Sequence, residues 1–324
     1  MVSIITNRSA MAGLATLRTV DRNLQTSQAH IASGYRVGTA ADNAAYWSIA
    51  TTMHSDDRAM AAAQDALGLG AATVDVAYTG MSSAIDVMDQ FKAKLVAARE
   101  PGVDRDKINA EMIQLRNQLR SIAESANFNG QNWLVTQDGT NEPDRELVTG
   151  FVRNADGTVR VTSQTYSTLM DGSFGAPTRL IDETSPGMYG ILTQPAAASG
   201  WDVSFPNWVF MVGKDAWPLA REMGVSSATT DQEIDTMITG TEFMLQQMQS
   251  AASRLGSLAS GIALQGGFLQ DLRDATARGI SRLRDADMNE ESTRLKALQV
   301  QEQLGVQALS IANGNADNVL QLFR

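Results

Sequence analysis

Between Tyr46 and Leu95 the chain runs for about 50 residues without a proline, and apolar side chains recur along it at alternating steps of three and four. Leu67, Ala71, Val74, Tyr78, Met81, Ile85 and Met88 lead to Leu95. Backward, the stripe passes through Ala63, Met60, Met53 and Ile49, and only Asp56 and Lys92 interrupt it. This spacing gives an α-helix one apolar face that partner helices must cover. Such a helix is about 75 Å long, whereas a compact globule of 324 residues would be roughly 50 Å across. The chain is therefore expected to build an elongated helical bundle. Thr39-Ala40-Ala41-Asp42 reads as a capping box just before the helix.

All seven prolines lie between Pro101 and Pro218, and both flanks are helically periodic. In the first arm Leu17, Leu24 and Ile31 follow Ala10 at seven-residue intervals, with Val20, Ser27 and Gly34 following Gly13 at the companion positions. This is a heptad seam with small residues, which permits close helix approach. A turn at Ser33-Gly34-Tyr35-Arg36-Val37-Gly38 ends it. After Pro101-Gly102, Asp104 caps a further helix with Ile108, Met112, Leu115, Leu119, Ile122 and Ala126 on one face, stopping near Asn127-Phe128-Asn129-Gly130.

The middle changes character. The β-prone runs Glu146 to Arg153 and Thr158 to Thr165 flank Asn154-Ala155-Asp156-Gly157 and read as a hairpin, and Trp201 to Phe205 and Trp208 to Val212 read as further strands. Residues 135–225 are thus expected to form a β-rich insertion with Trp201, Trp208 and Trp217 in its core. Thr230 then caps a helix striped by Ile238, Thr241, Leu245, Met248, Ala252, Leu255, Ala259, Ile262, Gly266, Leu269 and Leu272. That helix is long enough to run antiparallel beside Tyr46 to Leu95. The fold class is mainly α: a long antiparallel helical bundle, coiled-coil in character, built from both chain ends around a central β domain. Its packing residues are Leu67, Val74, Tyr78, Met81, Ile85 and Met88 facing Leu245, Met248, Leu255, Ile262 and Leu269.

The last segment repeats every eleven residues: Ala297, Ala308, Val319; Val300, Ile311, Leu322; Leu298, Leu309, Leu320. Eleven residues make about three full turns, so this helix stays nearly straight. Leu295, Val306 and Phe323 widen its apolar surface, and a helix so apolar needs cover on more than one side. The arm from Ala10 to Gly34 covers one side, and the remainder is expected to find cover in neighbouring molecules. Leu17, Val20, Leu24 and Ile31, with Val300, Leu304, Ala308, Ile311, Val319, Leu322 and Phe323, are the candidate polymer contacts. The first arm carries Arg8, Arg18, Arg22 and Arg36 against Asp21, while the last region carries Asp285, Asp287, Glu290, Glu291 and Glu302. Complementary ends and a solvated face both fit that distribution.

The net charge of -10 argues against nucleic acid or an anionic membrane as main partner, and no apolar run is long enough to insert into a bilayer. Cysteine is absent, which excludes disulfides and thiolate metal sites. The N-terminus lacks the pattern of a cleaved signal peptide. His30 and His54 are the only histidines; no His-Glu-x-x-His motif, Gly-x-Ser-x-Gly elbow or phosphate loop occurs, and Gly68-Leu69-Gly70 is too short for a nucleotide fingerprint. No catalytic residue, cofactor or metal is expected, and the reading is non-enzymatic. Asn7-Arg8-Ser9 matches a glycosylation sequon, but in a segment expected to be buried.

Ser33-Gly34-Tyr35-Arg36-Val37, Ala41-Asp42-Asn43-Ala44-Ala45 and Ser48-Ile49-Ala50 resemble the N-terminal signature of bacterial flagellins, as does Phe128-Asn129-Gly130. Ser281-Arg282-Leu283-Arg284-Asp285-Ala286-Asp287-Met288 and Asn318-Val319-Leu320-Gln321-Leu322-Phe323-Arg324 resemble the C-terminal signature. The run Ala41 to Met53, with Tyr46-Trp47, is similar to flagellins of rhizobia and related α-proteobacteria. The resemblance covers about residues 1–134 and 230–324.

It implies a subunit that self-polymerises, alone or with sister flagellins, into the extracellular flagellar filament, the propeller of swimming motility. Residues 1–40 with 284–324 would be terminal arms in the inner filament core, 41–134 with 226–283 the long-helix bundle, and 135–225 the variable outer domain. It further implies type III export in a largely unfolded state, without a cleaved signal, and assembly at the distal tip. Hook-associated proteins, the filament cap and an export chaperone would be partners. A hook–filament junction protein is the alternative, and a chemoreceptor-type coiled-coil hairpin fits the β insertion and apolar final helix less well. In enteric flagellins the stretch Q-R-V-R-E-L-A-V-Q contacts a vertebrate Toll-like receptor. The aligned run is Gln90 to Ala98, where Leu95 and the later Glu111 match but Phe91 replaces the key arginine. A phenyl ring lacks the guanidinium's planar donors, so weak or absent receptor activation is expected. A plain bundle role for Phe91 is equally consistent with its place in the stripe.

Overall fold

The computed structural model describes residues 7–136, 144–154, 156–167, 178–182, 190–195, 208–212 and 221–321. Among them the helices are α1 (Arg8–Ser33), α2 (Ala44–Ala98), α3 (Arg105–Ser125), α4 (Asp231–Arg284) and α5 (Met288–Gln321). The strands between α3 and α4 are β1 (Asn127–Phe128), β2 (Gln131–Asn132), β3 (Val135–Thr136), β4 (Asp144–Arg153), β5 (Val159–Ser167), β6 (Ile181–Asp182), β7 (Trp208–Val209) and β8 (Arg221–Glu222). The chain divides into two compact units, residues 1–58 with 272–324, and residues 59–271.

The helices start where a side chain takes up otherwise unpaired N–H groups. Asn7 Oδ1 accepts from Ala10 N at 3.0 Å, and Asp104 Oδ1 accepts from Lys107 N at 3.2 Å. Thr230 and Glu233 make a reciprocal capping box: Thr230 N donates to Glu233 Oε2 at 2.7 Å, and Glu233 N donates to Thr230 Oγ1 at 3.3 Å. The box expected at Thr39 to Asp42 is a different object. Asp42 Oδ2 accepts from Gly38 N, Thr39 N and Thr39 Oγ1 and closes a turn. The bonds from Thr39 hold the Asp42 carboxyl below its usual range. The cap of α2 is Asn43, whose Oδ1 accepts from Tyr46 N at 3.1 Å. Short acidic and amide side chains bind whichever free N–H lies nearest, and for Asp42 that is in the turn.

Within residues 59–271, α2 and α4 run antiparallel. Arg99 pairs with Asp235 at 2.9 Å, Lys92 with Glu242, and Gln64 with Gln270 at 3.2 Å. Lys92, an interruption of the apolar stripe, is thus matched across the helix pair. The buried seam of α2 is a strict heptad in which Leu67, Val74, Met81, Met88 and Leu95 alternate with Ala77, Ala84, Phe91 and Ala98. The expected stripe stepped by four at each heptad, to Tyr78 and Ile85, where the structure steps by three. Tyr78 is 44% exposed and Ile85 only partly buried. Phe91 decides the phase. It is fully buried, with its ring edge-on to Phe210 at 4.7 Å. From α4, Leu245, Met248, Leu255, Ile262 and Leu269 are buried, and from α3, Met112, Leu119 and Ala123.

The described residues of the middle segment contribute to the core of the helices. Leu134, Leu180, Ile181, Ile191, Leu192, Trp208 and Phe210 join one continuous cluster with Met81, Met88 and Met244 from the helices. Arg116 of α3 is buried and pairs with Glu222 at 2.6 Å, its Nη2 donating to the Met223 carbonyl oxygen. The Asn129-Gly130 turn, with φ of 50° and 80°, is a two-residue hairpin loop joining β1 to β2, the backbone shape this dipeptide favours. β4 and β5 form the expected antiparallel hairpin, with a bulge between Val148 and Gly150. Leu147 is buried over Gly70 of α2, where a Cβ would stand 2.6 Å from its methyl group, and Gln265 Nε2 of α4 donates to Thr149 O at 2.9 Å. Of the further expected strands, Trp208–Val209 pairs in parallel with β8, whereas Phe210 and Met211 are buried outside a strand. Trp201 to Phe205 and Trp217 lie outside the described residues.

Phe91→Ala should destabilise the folded chain by about 3–5 kcal/mol, while Tyr78→Ala, on an exposed ring, should cost well under that. Denaturant unfolding followed by circular dichroism separates them. Equal costs would restore the expected phase of the seam.

Candidate functional site

Residues 1–58 with 272–324 are built around α1 and α5, packed antiparallel. Asn7 Nδ2 donates to Ala312 O at 2.9 Å at one end, and Ser27 and His30 meet Glu291 at the other. Between them the helices approach closely on glycine: a Cβ at Gly305 would stand 3.1 Å from Leu17 Cδ1, and one at Gly13 would stand 3.6 Å from Leu309 Cδ1. The register is pinned by a buried carboxylate. Ser27 Oγ donates to Glu291 Oε2 at 2.6 Å, and His30 Nδ1 lies 3.0 Å from Glu291 Oε1. These bonds, the serine's first, hold the Glu291 carboxyl below its ordinary value. The sequence reading took Ser27 only as a small seam residue and Glu291 as part of an acidic stretch. Nothing in one strand of sequence signals a bond between positions so far apart.

At the end of the pair the two sequence signatures meet. Tyr35 and Asp285 form an antiparallel bridge, Arg36 N and Val37 N donate to Arg284 O at 2.7 and 3.1 Å, and Ala286 N donates to Gly34 O at 3.0 Å. Gly34 ends α1 with φ of 75°, a conformation a side chain would strain. Arg284 stacks over the Tyr35 ring at 4.0 Å, and Arg36 Nη2 donates to Leu283 O at 3.2 Å. The turns after α1 and α4 are thus tied to each other by backbone bonds, with the Arg284–Tyr35 cation–π contact beside them.

The pair covers one stripe of each helix. Val20 and Ser27 of α1 and Leu298 and Glu291 of α5 are buried, while Leu17, Leu24 and Ile31 are partly buried. The opposite stripe of α5 is open: Val300 is 54% exposed, Leu304 57% and Ile311 68%, with Ala308 exposed between them. Met11 and Leu14, which the sequence reading did not single out, are 63% and 39% exposed on α1. The candidate contacts therefore divide into a seam closed within one copy and a face left uncovered. The side chain of Val319, and Leu322 and Phe323, lie outside the described residues.

At the candidate receptor position Phe91 and Leu95 are fully buried, and Glu111 is exposed and paired with Lys94 at 2.5 Å. Among the described residues no group of three or more His, Cys, Asp or Glu is placed to hold a metal ion, and no helix is long and apolar enough to cross a membrane.

A family model described as the bacterial flagellin N-terminal helical region matches residues 4–139, and one described as the bacterial flagellin C-terminal helical region matches residues 238–323. Flagellin C of Rhizobium meliloti (strain 1021) is 48% identical, and Flagellin A of the same strain 41%, each covering 100% of both chains. A flagellin of Brucella melitensis biotype 1 is 36% identical over the same coverage. A crystal structure of Bacillus cereus flagellin is similar at a TM-score of 0.37 and 15% identity, over 64% of this chain and 88% of that one, too distant to carry an argument. The helix pair with its uncovered apolar face belongs to a chain that is a member of the bacterial flagellin family.

Proposed function

We infer that this chain is the structural subunit of a bacterial flagellar filament, polymerising with copies of itself or with sister flagellins into the propeller for swimming. The observation that carries the reading is the exposed stripe Val300, Leu304 and Ile311. Burying three such side chains stabilises an assembly by roughly 1.5–3 kcal/mol each, and a lone two-helix pair has nothing to bury them against. Similarity to flagellins along the whole chain favours the filament subunit over a hook–filament junction protein.

On this reading the subunit leaves the cell largely unfolded by flagellar type III export, without a cleaved signal peptide, and joins the distal tip beneath the cap. An export chaperone, the cap and the hook-associated proteins are then its partners. The terminal arms face the filament interior and the β-bearing middle faces outward. The inferred response of a vertebrate flagellin receptor is weak, for two reasons. Phe91 replaces the arginine expected at that position, and its ring is buried against Phe210.

Leu304→Lys or Ile311→Asp should leave monomer stability within about 0.5 kcal/mol, because both sites are already exposed, yet abolish extension of short filament fragments. Normal extension by either variant would remove this stripe from the polymer contacts. Deleting residues 314–324 should keep the helical circular dichroism of the remaining chain while electron micrographs show no filaments. Polymerisation of the truncated chain at the usual concentration would exclude an interior role for that end. Purified monomer should activate a flagellin-receptor reporter far less than an enteric flagellin does, and a response of equal strength would refute the Phe91 reading.

A further inference from the structure

Among the described residues, two sets of exposed charges lack counter-ions within one copy. On α1, Arg18 and Arg22 are one turn apart on the outward face that also carries Met11 and Leu14. Arg22 Nε donates to Arg18 O at 3.2 Å and its Nη2 to Thr19 Oγ1 at 3.3 Å; among the described residues neither guanidinium meets a carboxylate. Where α5 begins, Asp285, Asp287 and Glu290 are exposed and form no ion pair among the described residues. Asp287 caps the helix by accepting from Asn289 N and Glu290 N. The nearby Arg284 is engaged with the Tyr35 ring, and Arg294 lies 3.8 Å from Glu291.

The two sets cannot reach each other inside one molecule. Leu17 lies against Gly305, so Arg18 is level with Leu304, while Glu290 is level with His30, whose ring meets Glu291. That offset is about twelve residues, or about 18 Å along the helix. The outward faces nevertheless match in spacing. Met11, Leu14, Arg18 and Arg22 rise at steps of three, four and four. On α5, Glu290, Ala297, Val300 and Leu304 share one face, and all of them are exposed.

We propose that the outward face of α1 in one copy docks antiparallel on the outward face of α5 in a second copy, slid by that offset. Arg18 then meets Glu290, Arg22 approaches Asp285 and Asp287, and Met11, seven residues before Arg18, falls beside Ala297, seven residues after Glu290. This pairing rests on the filament reading and names the partner surface within it. The occupant is a second copy because the missing counter-charges of each face are those the other face offers at the same spacing. The contact is heterologous: an α1 face meets an α5 face, so every added copy exposes one free face of each kind. Association of that type stays open unless its rotation closes a ring. The charges fix the slide, and Met11 against Ala297 adds apolar contact beside them.

The test uses purified full-length chains and short wild-type filament fragments as seeds, with extension read by light scattering and electron microscopy. One variant carries Arg18→Glu with Arg22→Glu. The other carries Asp285→Lys with Glu290→Lys, leaving the capping Asp287 in place. Circular dichroism should match wild type for both. Each alone should raise the critical concentration about tenfold or more, because like charges then abut at every contact. An equimolar mixture of the two should recover extension, since each reversed face finds its complement on the other variant. Loss of helix cannot produce that recovery. The neutral variant Arg18→Gln with Arg22→Gln keeps the test open if a reversed chain fails to fold, and should raise the critical concentration in the same direction by less. Variants that extend seeds like wild type, or a mixture that stays silent while both fold, overturn the pairing alone. A wild-type chain that fails to extend seeds removes the filament reading, and the pairing with it.

Discussion

A pair of helices can cover only one stripe of each, and among the described residues of their unit α1 and α5 pack chiefly on each other. A stripe of an α-helix takes up about a third of its circumference, so two helices lying together leave most of their surface outward. That is harmless when the outward surface is polar. On α5 it includes Val300, Leu304, Val306 and Ile311, all more than half exposed. Among the described residues the last helix thus keeps an uncovered apolar stripe, and on the filament reading a second copy covers it. The eleven-residue spacing matters for the same reason. Eleven residues close on about three turns, so the uncovered stripe runs straight instead of winding around the helix, and one partner can cover its whole length.

The other unit solves the covering problem internally. Along α2 the heptad from Leu67 to Leu95 is buried by α3, α4 and the residues that follow α3. Much of its filling is methionine: Met81, Met88, Met112, Met223, Met237, Met244 and Met248 are all buried. Flexible thioethers fit irregular gaps between long helices that carry many alanines and glycines. The inserted segments act as filler as well. Phe210 closes over Phe91, and Leu147 drops onto Gly70, where any side chain on α2 would obstruct it.

The helices, their order and the hairpin after residue 144 were legible in the sequence because proline placement, caps and periodicity agree over long stretches. The phase of the seam was less so. Stepping by sevens from Leu67 to Leu95 leaves two companion sets: Ala71, Tyr78 and Ile85, or Gly70, Ala77, Ala84 and Phe91. The first is larger and more apolar, yet it is Ala77, Ala84 and Phe91 of the second that the structure buries. Alanine and glycine signal little hydrophobicity, yet they are what close helix packing requires, so periodicity weighted by size chose the wrong companion set. The core contributions of Leu134, Ile191 and Phe210 were illegible for another reason. They come from short irregular segments whose burial depends on where the chain returns. The same holds for Ser27, whose partner Glu291 lies 264 positions away.

That last contact bears on how an unfinished helix pair can hold a defined shape. The α1–α5 seam is rich in alanine, glycine and leucine, and sliding it by a turn would keep most of its apolar contacts. Sliding would also strip the buried Glu291 carboxylate of Ser27 and His30 at once. A carboxylate left buried without donors costs several kcal/mol, far more than the difference between one alanine contact and another. Greasy packing thus holds the two helices together, but the polar pin decides their register. Register in turn decides which side chains remain on the outside. A shift of one turn would move Leu304 and Ile311 relative to Arg18 and Leu14, and the surface offered to the next copy would no longer be the same surface from molecule to molecule. Repeated addition of identical subunits requires that sameness, so on the filament reading a polar contact inside the pair is a precondition for apolar contacts between pairs.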